Sequence, residues 1–161
     1  MNLKPMLAAK ATDKQIQKLF DINGNMIASP KLDGIRCTIQ NGKAYSRSLK
    51  LIRNTHVQQI LSDPKLEGMD GELIVGSPTA PDVYRTTTSA VMKESGKPNF
   101  TFWVFDIIKE SHWNYRQRLT ILQTHAKLWG KTLFTDTPEL LEHVDLGNMK
   151  ELRIYEKACL D

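Results

Sequence analysis

The stretch Ile35-Arg36-Cys37-Thr38-Ile39-Gln40 alternates apolar and polar residues and runs straight into Asn41-Gly42. A period of two marks a half-buried strand, and Asn-Gly supplies the two positive-φ residues of the tight turn that joins hairpin strands. Residues 29–50, SPKLDGIRCTIQNGKAYSRSLK, are therefore expected to form a β-hairpin whose register is pinned by its buried face. A hairpin does not need the charges gathered here. Lys31, Asp33, Arg36, Arg47 and Lys50 all cluster around this one small sheet element.

Elsewhere the pattern alternates between strands and helices. Thr12-Asp13 can cap a helix through Phe20, with Ile16, Leu19 and Phe20 on one face. Asn23-Gly24 signals a turn into a short strand around 25–29. Asn54 or Thr55 starts a helix carrying Val57, Ile60 and Leu61, which ends before Pro64. MDGELIVG reads as a strand entered through an Asp-Gly turn, and DVYRTTTSAVMKESG as a helix stopped by Gly96. FTFWVFDII, rich in aromatic and β-branched residues, is the strongest strand signal. YRQRLTILQTHAKLWG places Leu119, Leu122, Ala126 and Trp129 at helical spacing, with Gly130 as the stop. TLFTD reads as a short strand, a helix is expected near Pro138, and a last helix over NMKELRIYEKACLD. Hairpin-forming strands with helices between them indicate an α+β fold with mainly antiparallel sheet. No segment reads as a linker or domain boundary.

Charge is distributed unevenly. Residues 1–60 hold 10 Lys and Arg against 3 Asp and Glu, whereas residues 61–110 hold 5 against 8. A basic front segment suits a polyanionic partner, namely nucleic acid, nucleotide phosphates or both, although a solvated basic face would look the same. No apolar run approaches the roughly 18–20 residues of a membrane span, and no export signal precedes the chain's two cysteines, Cys37 and Cys159. They read as free thiols in a reducing cytoplasm.

Lys31 is the first chemical candidate. A surface lysine titrates near about 10.4, so it becomes a nucleophile at neutral pH only where burial or neighbouring cations favour the neutral amine. Arg36 is such a cation. Pro30 stiffens the approach, and Gly34 allows the main chain to come close to a ligand. The plainer reading, a Lys-Asp surface pair beside a turn, fits these residues as well.

KLDGIR at 31–36 resembles motif I of the covalent nucleotidyltransferases, which comprise ATP-dependent DNA ligases, RNA ligases and mRNA capping enzymes. Further segments follow in family order. PMLA at Pro5–Ala8 resembles the start of many DNA-ligase adenylation domains, SRSLKLIRN at Ser46–Asn54 motif Ia, DGELIV at Asp70–Val75 motif III, and FWVFDII at Phe102–Ile108 motif IIIa. TTTSAVM resembles small viral and phage DNA ligases in particular.

The resemblance implies a nucleotidyltransferase (adenylation) domain spanning residues 1–161, acting as a monomer on ATP and nicked duplex DNA in the cytoplasm, with no membrane contact. Lys31 matches the nucleophile that retains AMP as a phosphoramidate, with Mg²⁺ as cofactor. Ser29, Pro30, Leu32, Arg36, Arg47, Glu72 and Phe105 match positions around the nucleotide. Glu72 is the acid near the ribose and the metal, and Phe105 is the aromatic that stacks on adenine. Asp33 suits two roles, orienting Lys31 or shaping the turn. Arg36, Arg47, Lys50 and Arg53 would follow the phosphates of the nicked duplex, contributing affinity without sequence preference.

The family pattern continues with motif IV, Glu-Gly-x-x-x-Arg, then a Lys-x-Lys motif V and an OB-fold domain. None of these occurs in the 161 residues. The expectation is thus an adenylation domain incomplete at its C-terminal side, sealing 3′-OH/5′-phosphate nicks in its complete form. Two other readings are a binding module for nicked DNA or nucleotide without ligation activity, and an RNA ligase or capping-type enzyme. PMLA, SRSLK and TTSAVM favour the DNA ligases over the last.

Overall fold

A computed structural model of the chain describes residues 3–110, 112–127, 129 and 138–160. In chain order the elements are α1 (Asp13–Asn23), β1 (Met26–Ala28), β2 (Ile35–Gln40), β3 (Lys43–Ser46), α2 (Thr55–Leu61), β4 (Met69–Val75), α3 (Val83–Val91), β5 (Phe100–Ile107), α4 (Tyr115–Ala126), β6 (Glu139–Leu140), β7 (Val144–Leu146) and α5 (Met149–Ala158). They form two compact units. One comprises Met1–Pro5 with Leu32–Leu140, the other Met6–Lys31 with Leu141–Asp161.

The larger unit is built on a five-stranded sheet of order β3-β2-β4-β5-β6. All its pairs are antiparallel except β5 with β6. The hairpin turns at Asn41 (φ 54°) and Gly42 (φ 66°), the conformation that Asn-Gly favours. One face of the sheet buries Cys37, Ile39, Met69, Leu73, Phe102 and Val104 against Val57 and Leu61 of α2, Val91 of α3 and Leu122 of α4. Burying a leucine or phenylalanine of this kind contributes about 1.5–3 kcal/mol, so this cluster fixes the sheet on which the charged face stands. Asn54 caps α2 by accepting from the Val57 N–H, and its amide donates to the Lys93 carbonyl, which accounts for its full burial.

The smaller unit pairs β1 with β7 antiparallel and carries α1 and α5. Thr12 and Gln15 form a reciprocal capping box at the start of α1, and Asp13 forms an ion pair with Arg153 of α5.

Three sequence expectations need correction. Asp70-Gly71 is not a turn but lies inside β4. The Asp-Gly signal is overridden because a Cβ at Gly71 would sit 2.4 Å from the Trp103 carbonyl oxygen, so glycine here allows two strands to approach. The helix over 83–91 stops at Met92, short of Gly96, its three threonines giving little intrinsic support for a longer run. After Pro138 the chain enters strand β6, because pairing with Trp103 and Val104 of β5 outweighs the helical pattern. The expected TLFTD strand and the Gly130 stop lie outside the described residues.

Candidate functional site

The sheet of the larger unit has a second face, and its chemistry follows from register. Arg36 on β2 lies directly opposite Glu72 on β4, and Glu72 lies opposite Trp103 on β5. Glu72 is on a central strand, half-buried, and not on a sheet edge. Its Oε1 accepts the Gly34 N–H at 3.1 Å. Gly34 itself meets protein rather than open space, since a Cβ there would stand 2.1 Å from the Leu73 carbonyl oxygen. The glycine of KLDGIR is therefore required by the contact between this segment and β4.

Arg36 is held by a partner that sequence reading missed. Its Nε and Nη2 donate to the two carboxylate oxygens of Asp70 at 2.6 and 2.7 Å. The Asp70 side chain is 2 % exposed and that of Arg36 is 29 % exposed, so the fork is sunk at its base and open at its rim. Burial pushes the Asp70 carboxyl above its ordinary range, opposed by the Arg36 fork and charge. For Arg36, burial works against the charge, but Asp70 more than compensates and the guanidinium is held more firmly protonated. This arginine is a fixed cation.

Phe105 departs from the core. On β5 the register steps between Asp70/Asp106 and Gly71/Val104, leaving Phe105 as the extra residue of a β-bulge. A bulge bends its strand and re-aims a side chain, and such irregularities concentrate beside functional sites. The Phe105 ring is half-buried and lies under Arg36, whose guanidinium carbon is 4.5 Å from the ring centroid.

A second aspartate–arginine fork flanks the first. Asp106, the strand partner of Asp70, accepts from Arg118 Nε at 2.7 Å and Nη2 at 3.0 Å. The Tyr115 hydroxyl donates to the Phe105 carbonyl at 2.9 Å. Asp70, Asp106, Tyr115 and Arg118 were not among the residues singled out from sequence. Their only sequence signal was a charged or hydroxyl-bearing side chain inside an otherwise strand-forming or helical segment.

Other candidates are placed differently. Lys31 and Ser29 are exposed and Pro30 is half-buried, all in the smaller unit, and Lys31 is bonded directly to Leu32 of the larger one. Arg47 leaves the hairpin ladder after Ser46, the partner of Cys37. The loop that follows closes through Ser46 N–H to the Lys50 carbonyl, with Leu49 at φ 61°. Arg47, Lys50 and Arg53 are exposed and form no ion pair among the described residues. Arg53 also lines a separate open groove of about 680 Å³ with Lys43, Leu51, Gln58 and Glu94, which shares no residue with the Arg36 cluster.

No group of three or more His, Cys, Asp or Glu side chains gathers to hold a metal among the described residues. Glu72 is a single donor, one oxygen already engaged by Gly34, so the described residues do not present a complete protein-made metal site. No described helix is long and apolar enough to cross a membrane.

No protein-family model matches the chain, nor does any curated protein. Solved structures do. A Chlorella virus DNA ligase-adenylate is 26 % identical with a TM-score of 0.78, the match covering 98 % of this chain and 56 % of that one. A second crystal structure of Chlorella virus DNA ligase-adenylate is 28 % identical with a TM-score of 0.72, covering 86 % and 50 %. The ATP-dependent DNA ligase of bacteriophage T7, in complex with ATP, shares the fold at 18 % identity and a TM-score of 0.54, covering 94 % and 58 %. The chain thus has the fold of the nucleotidyltransferase domain of ATP-dependent DNA ligases, and spans about half the length of the structures it matches.

Proposed function

We propose that this chain provides the nucleotide-binding part of an ATP-dependent DNA ligase, in which Lys31 takes AMP from ATP. The observation that carries the reading is the grouping of Arg36, Glu72 and Phe105 on one sheet face. It combines a fixed cation, a carboxylate and an aromatic ring re-aimed by a bulge.

The residues divide the work by chemical type. Phe105 offers a π face to a purine; Arg36 covers one side of its ring, so a base would stack on the other. Glu72 presents its carboxylate to ribose hydroxyls from a position that the Gly34 N–H helps to fix. Arg36 offers charge to phosphate from its open rim. In the first chemical step the neutral Lys31 Nζ attacks the α-phosphorus. The N–P bond forms, the bond to the pyrophosphate oxygen breaks, and the amine loses a proton. Positioning and charge neutralisation dominate such a transfer, which suits a site made of preset cations. Glu72 would be the protein ligand to a Mg²⁺ ion, which would supply charge neutralisation for the triphosphate. Arg47, Lys50 and Arg53 would track the phosphates of nicked duplex DNA, and the protein would act as a monomer.

Equilibrium binding tests the reading. The wild-type chain should bind ATP more tightly than inorganic tripolyphosphate, with Phe105→Ala and Glu72→Ala erasing the difference. A chain that binds nicked duplex DNA but shows no preference for ATP would instead be a DNA-binding module.

A further inference from the structure

Phe105 is the unpaired residue of a bulge, so the ladder alone does not fix its backbone. What replaces the ladder comes from a single turn of α4. The Tyr115 hydroxyl donates to the Phe105 carbonyl at 2.9 Å, and the Arg118 fork grips the carboxylate of the next residue, Asp106, at 2.7 and 3.0 Å. We propose that Tyr115 and Arg118 are positioning residues that clamp the β5 bulge and so set where the Phe105 ring lies for stacking on a purine. The proposal deepens the ATP reading and rests on it.

The clamp is itself well anchored. Tyr115 and Arg118 are three residues apart and share a helix face, with the Arg118 guanidinium carbon 5.4 Å from the Tyr115 ring centroid. Arg118 Nη1 also donates to the Trp113 carbonyl at 2.6 Å. Asn114 caps α4 in a reciprocal box with Gln117, and Leu122 ties the helix into the core. On the strand side, Asp106 accepts the Ile107 N–H at 2.8 Å, so its carboxylate is oriented from within the bulge as well as from α4. Phe105 and the residue after it, Asp106, are thereby held by one helical turn, while Arg36 holds the Phe105 ring from β2. The Tyr115 hydroxyl keeps its proton well into alkaline conditions, because burial and the nearby Asp106 charge push its pKa to about 12. It is therefore a donor at any working pH.

The test compares Tyr115→Phe with the wild-type 161-residue chain in two measurements. The first is amide hydrogen exchange. Loss of one hydrogen bond should speed exchange at residues 104–107 about five-fold while leaving β2 unchanged. The second is a double-mutant cycle on affinity. Tyr115→Phe should weaken ATP about five-fold, leave inorganic tripolyphosphate unchanged, and change ATP affinity less than about two-fold in a Phe105→Ala background. Arg118→Lys, which keeps the charge but loses the fork, should follow the same pattern.

Unchanged exchange at 104–107 would overturn the clamp whatever the affinities. Equal losses for ATP and tripolyphosphate, or an undiminished loss in the Phe105→Ala background, would make Tyr115 merely structural and overturn its positioning role. If the wild-type chain showed no preference for ATP over tripolyphosphate, the nucleotide reading itself would fall, and with it the purpose assigned to the clamp.

Discussion

Arg36 and Asp70 meet through a two-bond fork at 2.6 and 2.7 Å, with the carboxylate almost wholly enclosed and the guanidinium open at one edge. A buried carboxylate tolerates this position only with its partner. Arg36→Ala should therefore destabilise the fold by about 3 kcal/mol at neutral pH, since breaking one side of a buried pair leaves an uncompensated charge.

The sign of the pH dependence follows from Asp70, whose folded-state carboxyl is raised by burial and would rise further without Arg36. A raised carboxyl makes the folded state the better proton binder. The penalty is thus absent below the unfolded value of about 3.9 and grows as pH rises through the folded one. The stability deficit of Arg36→Ala, measured by denaturant unfolding, should shrink as pH falls from 7 toward 4. A deficit independent of pH would remove Asp70 from the explanation.

Two glycines are fixed by their close approach to backbone. A Cβ would stand 2.1 Å from the Leu73 carbonyl oxygen at Gly34 and 2.4 Å from the Trp103 carbonyl oxygen at Gly71, and neither backbone can yield cheaply. Gly34→Ala and Gly71→Ala should each cost about 2–3 kcal/mol or more. Gly147→Ala meets only the Glu151 side chain, at 3.5 Å, and should leave the melting temperature nearly unchanged. Equal tolerance at all three positions would contradict the packing described for β4.

The two thiols should differ sharply. Cys37 is fully buried in the core and burial pushes its thiol far up, whereas Cys159 is exposed. A thiol reagent should modify one cysteine per native chain, identified by peptide mass as Cys159, and both after denaturation. Rapid native labelling of Cys37 would show that the sheet opens.

If the exposed cations beyond the hairpin serve a phosphate backbone, duplex binding should weaken steeply with salt. Lys50→Ala with Arg53→Ala should then flatten the plot of log affinity against log salt by about 0.9 for each phosphate that is no longer neutralised. An unchanged slope would exclude both residues from the interface.

Much of this fold could be read from local signals. The Asn41-Gly42 hairpin and the Thr12 and Asn54 caps rest on interactions between near neighbours in sequence, and β5 is marked by its own run of aromatic and β-branched residues. Arg36, Glu72 and Phe105 could be named because their motifs stand out, but Asp70 could not. Its Asp-Gly pair signals a turn locally, and only the pairing of β4 with both neighbours turns it into a buried strand carboxylate. The bulge at Phe105 is likewise a matter of register between distant strands, and the Tyr115 and Arg118 contacts depend on how α4 packs. Assembly of the smaller unit from two separate chain segments has no local signature at all.

The central claim concerns Lys31, and covalent labelling tests it most directly. The purified chain and its Lys31→Ala and Lys31→Arg variants would be incubated with Mg²⁺ and ATP labelled in the α-phosphate, then denatured and separated on a gel. The account expects label on the wild-type chain alone, because arginine keeps the charge but cannot become a neutral amine. Label on either variant would place the nucleophile elsewhere, and an unlabelled but folded wild-type chain would contradict AMP transfer by these residues.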